Sequence, residues 1–389
     1  MKERYKIKIE PLTAVHIGTG EKCTPLDYKI TSKIGNTDLK KNMYLKFSSD
    51  KILNRLIESK NQEKVKQFDV ASVKGNMKEL QSFFQENLTD FSDIDYPCEI
   101  TSDFLKIYQK NREKDPLDNA LEVWQIYRPE GKKTPVIPGS SIKGAIRTAV
   151  LNSILYNISD ENYNDLKEKF SEEKNKKNFD SVLQKELLGK YSDAKNDPFR
   201  SIRFSDCTFL AKDSQIVVSL SNITVDKRVQ SFVSNEMMIL AEAIKGRFME
   251  STLSTDGLVE INSDLFSKKQ TSYNITMKDI IKSCNDFFSI QFDNEYDKFY
   301  ANSYDHSCNF INKLKKEIDS ICKTENSFVV RLGRWSQVEF VTFGSDFRTP
   351  KTPVRKGKVI PHGTFRTVLN YNGQYLPMGW CKCTVEHID

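Results

Sequence analysis

Alternating apolar and polar positions predict strands near both ends of this 389-residue chain. Tyr5, Ile7 and Ile9 alternate with polar or charged neighbours, which is the period-two pattern of a strand with one buried face. Similar alternation, or a short run of β-branched and aromatic residues, predicts further strands. These lie at residues 26–30, 202–210, 216–220, 328–332, 338–343, 365–371 and 380–386.

Apolar residues that recur every three or four positions predict helices between these strands. The helical segments are residues 50–60, 62–88, 141–156 and 277–322. The Lys-, Glu- and Asn-rich residues 159–198 have balanced charge and a few apolar anchors, which is typical of an inserted helical segment. Residues 97–131 are predicted to form loops with one short helix.

The order of these elements predicts an α+β fold, built of two modified ferredoxin-like units with helical insertions. The first unit comprises residues 1–152 with 200–250, and a charged helical insertion covers 153–199. Residues 251–389 form a helical block and the second unit, which carries a basic loop.

Composition excludes several classes of protein. Mean hydropathy is −0.55, and neither an apolar run long enough to cross a membrane nor a secretory signal is present, so a cytoplasmic protein with no membrane partner is expected. The eight cysteines form no CxxC pair, so they are expected to be reduced thiols rather than a disulfide or metal framework. Four histidines make chemistry based on a histidine cluster improbable, and no cofactor is expected.

Most of the net charge of +6 lies in the C-terminal segment. Residues 328–389 contain nine basic and four acidic residues, and most of the basic ones are arginines. A guanidinium group binds phosphate bidentately and stacks on bases. The segment 348–358 is predicted to be an exposed basic loop that follows phosphates, or simply a solvated one.

The most informative motif is Gly139-Ser140-Ser141-Ile142-Lys143-Gly144-Ala145-Ile146-Arg147. A strand ends at a Pro-Gly turn, and a helix is predicted to begin at Ser140 or Ser141, where free N–H groups make an anion site. Lys143 and Arg147 lie on one helical face and the apolar residues on another. We therefore expect this helix to bind a polyphosphate and to present two cations beside the glycine turn.

This motif is not a nucleotide-hydrolysing P-loop. Gly139 and Gly144 have the right spacing, but Ala145 and Ile146 stand where Lys and Ser or Thr are required.

Three motifs together resemble a known family. They are His16-Ile17-Gly18-Thr19-Gly20, the stretch from Ile137 to Arg147, and Ile202-Arg203-Phe204-Ser205-Asp206-Cys207. The sequence resembles the RAMP superfamily of CRISPR RNA-binding proteins, and within it the backbone subunits that cap the crRNA 3′-end side of type III-A Csm complexes. The family's late Gly-rich loop corresponds here to residues 331–336, where Arg334 and Trp335 replace small residues.

The resemblance implies an RRM-type ferredoxin-like core that holds crRNA through its sugar-phosphate backbone, aids crRNA maturation and serves antiviral defence. It implies assembly with sister Csm subunits, namely the target-cleaving backbone subunit and the small subunit, and with target RNA in the complex. The RNA contacts predicted from the motifs are His16, Gly18, Gly20, Gly139, Ser140, Ser141, Lys143, Gly144, Arg147, Arg203, Gly333, Arg334 and Trp335.

The resemblance also implies a non-catalytic subunit. The loop aspartate of the cleaving sister subunit has no confident match, and Asp27 is the nearest candidate by position. The alternative is a metal-independent RAMP endoribonuclease that processes precursor crRNA, with His16 as its acid or base. A third possibility is a scaffold that mainly binds proteins. A zinc site at Cys381, Cys383 and His387 is disfavoured because a fourth ligand is unassigned.

Overall fold

The helices of the computed structural model account for most of the predicted helical segments. The structure describes residues 2–173, 179–189, 197–210, 214–226, 231–262, 274–301, 309–347, 354–355, 358–359 and 365–388. In these ranges the helices are α1 (Ser49–Glu58), α2 (Gln62–Lys74), α3 (Met77–Asn87), α4 (Ser102–Asn111), α5 (Gly139–Tyr156), α6 (Asp160–Glu172), α7 (Phe179–Leu187), α8 (Met277–Phe299), α9 (Asn309–Cys322) and α10 (Val338–Val341). Each of them is too short or too polar to cross a bilayer.

The strands form two large sheets and two small pairs. In chain order they are β1 (Lys2–Pro11), β2 (Gly18–Cys23), β3 (Tyr28–Ile34), β4 (Thr37–Phe47), β5 (Ile94–Ile100), β6 (Val123–Ile126), β7 (Val136–Ile137), β8 (Ile202–Phe204), β9 (Cys207–Thr208), β10 (Gln215–Asp226), β11 (Ser231–Ile244), β12 (Thr255–Asn262), β13 (Ser327–Arg331), β14 (Val354–Arg355), β15 (Lys358–Val359), β16 (Phe365–Tyr371), β17 (Gln374–Pro377) and β18 (Trp380–Ile388).

The first sheet is antiparallel and has five strands in the order β13-β18-β1-β12-β8. It joins strands from both ends of the chain, since β1 lies between β18 and β12, with Arg4 paired to Ile388. The second sheet has nine strands, of which seven follow the order β2-β6-β11-β10-β5-β4-β3 while β16 and β17 extend it beside β10. Strands with helical insertions confirm the predicted α+β class. The proposed domain limits stay a prediction.

The largest core cluster combines the first sheet with α5, α8 and α9. Ile142 and Ile146 of α5 are fully buried in it, which confirms the apolar face predicted for this helix. In the same cluster, Phe292 of α8 contacts the buried Trp380 edge to face, with ring centroids 5.0 Å apart. A separate cluster packs α1 and α3 against β4.

Some predicted elements differ from the structure. Residues 338–343, predicted as a strand, begin with the short helix α10, and Gln337 before it has a φ of +67° that turns the chain. The predicted helix at 62–88 is two helices, since Gly75 has a φ of +62° between α2 and α3. The motif at residues 16–20 is not only a loop, because β2 begins at Gly18.

Candidate nucleic-acid interface

The helix α5 begins at Gly139, one or two residues earlier than predicted, and is not capped by a serine. Its N-cap is Pro138, which provides no side-chain hydrogen bond. Instead, the Gly139 N–H donates to Asp206 Oδ1 at 2.8 Å. A carboxylate of the chain itself thus lies where a phosphate was expected, and it satisfies a free N–H group at the positive end of the helix dipole.

The same contact requires glycine at position 139. A Cβ there would lie 2.2 Å from the carbonyl oxygen of Phe204. The two motifs at residues 139–147 and 202–207 are therefore one packed unit. Sequence reasoning missed this, because Gly139 and Asp206 lie 67 positions apart along the chain.

The two cations of α5 are not presented to solvent as predicted. Arg147 pairs with Asp197 at 2.8 Å, donates to Gln184 Oε1 and stacks on the ring of Phe199. Lys143 is half-buried and donates to the Ile202 carbonyl oxygen at 2.9 Å, and burial lowers the pKa of its ammonium group. The cations bind the chain segment that carries Asp206 and so hold it against the helix.

His16 is fully buried beneath the glycine segment. Its Nδ1–H donates to the Glu242 carbonyl oxygen at 2.7 Å, so Nε2 carries the lone pair. Nε2 faces Gly18 and has no hydrogen-bond partner among the described residues. Burial lowers the pKa of His16 to about 4, so the imidazole is neutral near pH 7.

His16 supports the loop at residues 332–337. Its carbonyl oxygen accepts the Arg334 N–H at 2.8 Å, and its ring lies 4.7 Å from that of Trp335. Gly333 has a φ of +83°, and a Cβ there would lie 2.3 Å from the His16 carbonyl oxygen. Both the positive φ and the close approach of the His16 carbonyl oxygen therefore require glycine at position 333.

The loop places one exposed cation over an aromatic ring. The Arg334 guanidinium group stacks on Trp124 at 3.9 Å and lies 5.5 Å from the Trp335 ring. Trp335 adopts a φ of +64°, which is costly for a bulky residue. Trp124 was not predicted as a site residue, because its ring contacts Arg334 only in the folded chain, where β6 lies beside the loop.

The Gly18–Gly20 segment, this loop and the start of α5 lie close together. Gly18 is paired with Ile126 of β6, and the Tyr127 N–H donates to the Ile17 carbonyl oxygen at 2.7 Å. The Tyr127 carbonyl oxygen in turn accepts the Val136 N–H, three residues before Gly139. Gly18, Gly20, Ser140, Gly144 and Arg334 are exposed in this region. We call these five residues with Trp124 and Trp335 the stacking face.

A buried polar network supports the stacking face from below. Glu242 pairs with Arg128 at 2.8 Å, accepts the Tyr96 hydroxyl at 2.9 Å and also accepts the Ile126 N–H. Arg128 further donates to Gln215. Sequence reasoning missed these residues, which are far apart along the chain.

Two arginines of the basic C-terminal segment are buried and cannot contact phosphate. Arg331 pairs with Glu295 at 2.7 Å, and Arg366 pairs with both Glu295 and Glu339. Both guanidinium groups are less than 5% exposed. Most of the predicted basic loop at 348–358 lies outside the described residues.

The remaining candidate positions are distributed as follows. Arg203 is exposed on β8, opposite the buried Ile202, and makes no ion pair in the described parts of the chain. Asp27 accepts two hydrogen bonds from Thr24 in a local turn. Cys381 and Cys383 are both buried, and no group of three His, Cys, Asp or Glu side chains in the described ranges is arranged to hold a metal.

Comparisons with known proteins agree with this architecture. A model of the RAMP superfamily matches residues 8–344, so the chain belongs to the RAMP superfamily. A chain of a cryo-EM structure of a Csm–crRNA–target RNA ternary complex of a type III-A CRISPR-Cas system has a TM-score of 0.65 and 18% identity, covering 99% of this chain and 100% of that chain. The crystal structure of T. onnurineus Csm5 has a TM-score of 0.61 and 17% identity, covering 96% of this chain and 99% of that chain. No curated protein matches the chain.

The burial of His16 predicts a stability that depends on pH. The unfolded chain protonates this histidine near pH 6.5, whereas the folded chain does so only near 4, so stability is lost as the pH falls through this window. Between about pH 7 and pH 5 the loss from this group should be about 2 kcal/mol. Urea unfolding at both pH values, for the protein and for His16→Gln, measures it. Equal pH dependence in the two proteins would contradict the assignment.

Proposed function

We propose that the chain is a non-catalytic crRNA-binding subunit of a type III-A Csm ribonucleoprotein, at the 3′-end side of its backbone. The observation that carries the proposal is the stacking face, in which exposed Arg334 lies over two indole rings and exposed glycines lie on neighbouring segments. Membership of the RAMP superfamily supports it. So does the likeness in fold, over 99% of this chain, to a chain of a Csm–crRNA–target RNA complex.

The chemistry of the stacking face suits single-stranded RNA of any sequence. Exposed glycines at 18, 20 and 144 let a sugar-phosphate backbone approach closely. Arg334 supplies a cation that stacking on Trp124 holds in place, and Trp335 supplies a partly exposed ring for a base. Hydrogen bonds to base edges are not needed, so recognition would not depend on sequence.

The predicted RNA contacts then divide into two groups. Gly18, Gly20, Ser140, Ser141, Gly144, Arg203, Arg334 and Trp335 would face the RNA, together with the side of Lys143 that remains exposed. His16, Gly139, Arg147 and Gly333 would act indirectly, because their contacts shape the backbone beneath this surface.

In the assembly, crRNA would lie between this subunit and its sister backbone subunits, with target RNA paired to the crRNA. The alternative of a precursor-processing endoribonuclease has less support. Its candidate acid or base, His16, is buried and neutral, with Nδ1 engaged by a backbone carbonyl and Nε2 covered by Gly18. A general acid or base must reach the proton that it transfers.

The test is binding of single-stranded RNA to the purified protein over a salt series. Arg334→Ala should weaken binding about three- to tenfold and reduce the slope of log affinity against log salt by about 0.7, which corresponds to one lost phosphate contact. Fluorescence anisotropy with two RNAs of unrelated sequence measures both quantities. The two RNAs should bind equally.

Arg112→Ala is the matched control, since Arg112 is also an exposed arginine, at the end of α4, and is not part of the stacking face. The proposal is wrong if the two variants bind alike. Electrophoresis of the RNA after incubation with EDTA separates the alternatives, because discrete fragments would indicate the endoribonuclease.

A further inference from the structure

A second site is formed by an apolar cavity between the β3–β4 hairpin and the start of β5. Its volume is about 490 Å³, within the range of pockets that bind small ligands or side chains. The walls include Leu39, Met43, Phe91 and Ile94. Phe91 is 51% exposed and forms one apolar patch with these neighbours. The cavity therefore presents an apolar surface that no described residue covers.

The charged residues that line this cavity are all basic. They are Lys40, Lys41 and Lys133, and within the described ranges no Asp or Glu lines it. Lys41 and Lys245 share the carboxylate of Glu99, at 3.0 and 2.9 Å. These three side chains together therefore keep a net positive charge. Lys133 donates to the backbone carbonyl oxygen of Ile94 at 3.3 Å and pairs with no carboxylate among the described residues. An occupant with negative charges beside its apolar part would be favoured.

The polar group at the base of the cavity is already fully bonded. Gln215 Nε2 donates to the carbonyl oxygens of Pro97 and Lys133, at 2.7 and 3.1 Å, and its Oε1 accepts from Arg128. A nucleobase in this cavity would lose hydrogen bonds to water and find no amide to replace them. An apolar side chain has no such requirement, so the cavity fits a protein segment better than RNA.

We propose that this cavity docks an acidic segment of a protein partner. One or two large apolar side chains of that segment would fill the cavity against Phe91, and flanking Asp or Glu residues would pair with Lys40, Lys41 and Lys133. The occupant is defined by this chemistry. The proposal is independent of RNA binding at the stacking face, since the cavity shares none of the residues of that face.

The probe is a short fluorescein-labelled peptide with a central Leu-Phe pair flanked by glutamates, measured by anisotropy with the full chain. Two matched peptides replace the Leu-Phe pair by serines, or the glutamates by lysines. We expect the acidic apolar peptide to bind about tenfold tighter than either. The variants Lys40→Glu/Lys133→Glu and Phe91→Ser should each weaken binding of the acidic apolar peptide by a similar factor. Thermal unfolding should be unchanged, because all three side chains are exposed.

The control is Lys110→Glu/Lys114→Glu, which makes the same change of charge at exposed positions near the end of α4. It should leave peptide binding unchanged. Failure of the acidic apolar peptide to bind the folded protein overturns the proposal, and so does equal binding of the serine peptide. If the Lys40→Glu/Lys133→Glu variant loses RNA binding and the Lys110→Glu/Lys114→Glu control does not, the cavity binds nucleic acid instead of a protein segment.

Discussion

Glu295→Ala should destabilise the protein by about 3–5 kcal/mol, because removing one partner leaves buried charges uncompensated. Arg331 and Arg366 both point at this carboxylate, with closest N···O distances of 2.7 and 2.9 Å. Arg366 would retain Glu339. Among the described residues, Arg331 would keep the carbonyl oxygens of Met378 and Trp335 and the rings of Phe340 and Trp380, none of which neutralises its charge. The midpoint of urea unfolding measures the loss.

Asp286→Ala is the matched control for this result. Asp286 is on the same helix, and its carboxylate is about half exposed and pairs with Lys282 on the surface. Its replacement should change stability by less than about 0.5 kcal/mol. An equally small effect of Glu295→Ala would mean that these arginines are solvated and available for other contacts.

Gly139→Ala should be almost as damaging, at about 3 kcal/mol. The new methyl group would lie 2.2 Å from the Phe204 carbonyl oxygen and 2.8 Å from that of Ser205, so the chain must move there. Moving it would also break the bond from the Gly139 N–H to Asp206. Thermal and urea unfolding of the variant measure the cost.

Gly144→Ala is the contrasting change in the same helix. A Cβ at position 144 meets nothing within 4 Å, so the substitution should stabilise α5 by about 0.5–1 kcal/mol. If RNA lies against this helix, the same variant should bind RNA more weakly although it is more stable. Equal effects of the two substitutions on stability would contradict the packing described for Gly139.

The sequence could predict the elements whose pattern is local. The helix α5 is predicted within two residues, because Ile142 and Ile146 recur at helical spacing after a Pro-Gly turn. β1 and β18 alternate clearly and were also predicted. The strand β12 was missed because Asp256, Gly257 and Glu260 make it polar, and its structure depends on pairing with β1 and β8.

The site was predictable only in part, for a related reason. The motifs identify which segments matter, but the partners of each charge lie far away along the chain. Lys143 bonds to Ile202, Arg147 to Gln184 and Asp197. Arg331 faces Glu295. A sequence motif indicates that a cation is present, whereas only the fold determines whether its charge is already neutralised.

The position of β1 between β12 and β18 has a consequence for synthesis of the chain on the ribosome. The strand β1 is synthesised long before Trp380–Ile388, with which it must pair. Until then, one edge of β1 has no partner in the sheet, and such an edge can pair with another chain. Nascent chains that stop before residue 380 should therefore leave this strand open to chaperones and to aggregation, although the nine-stranded sheet is already synthesised.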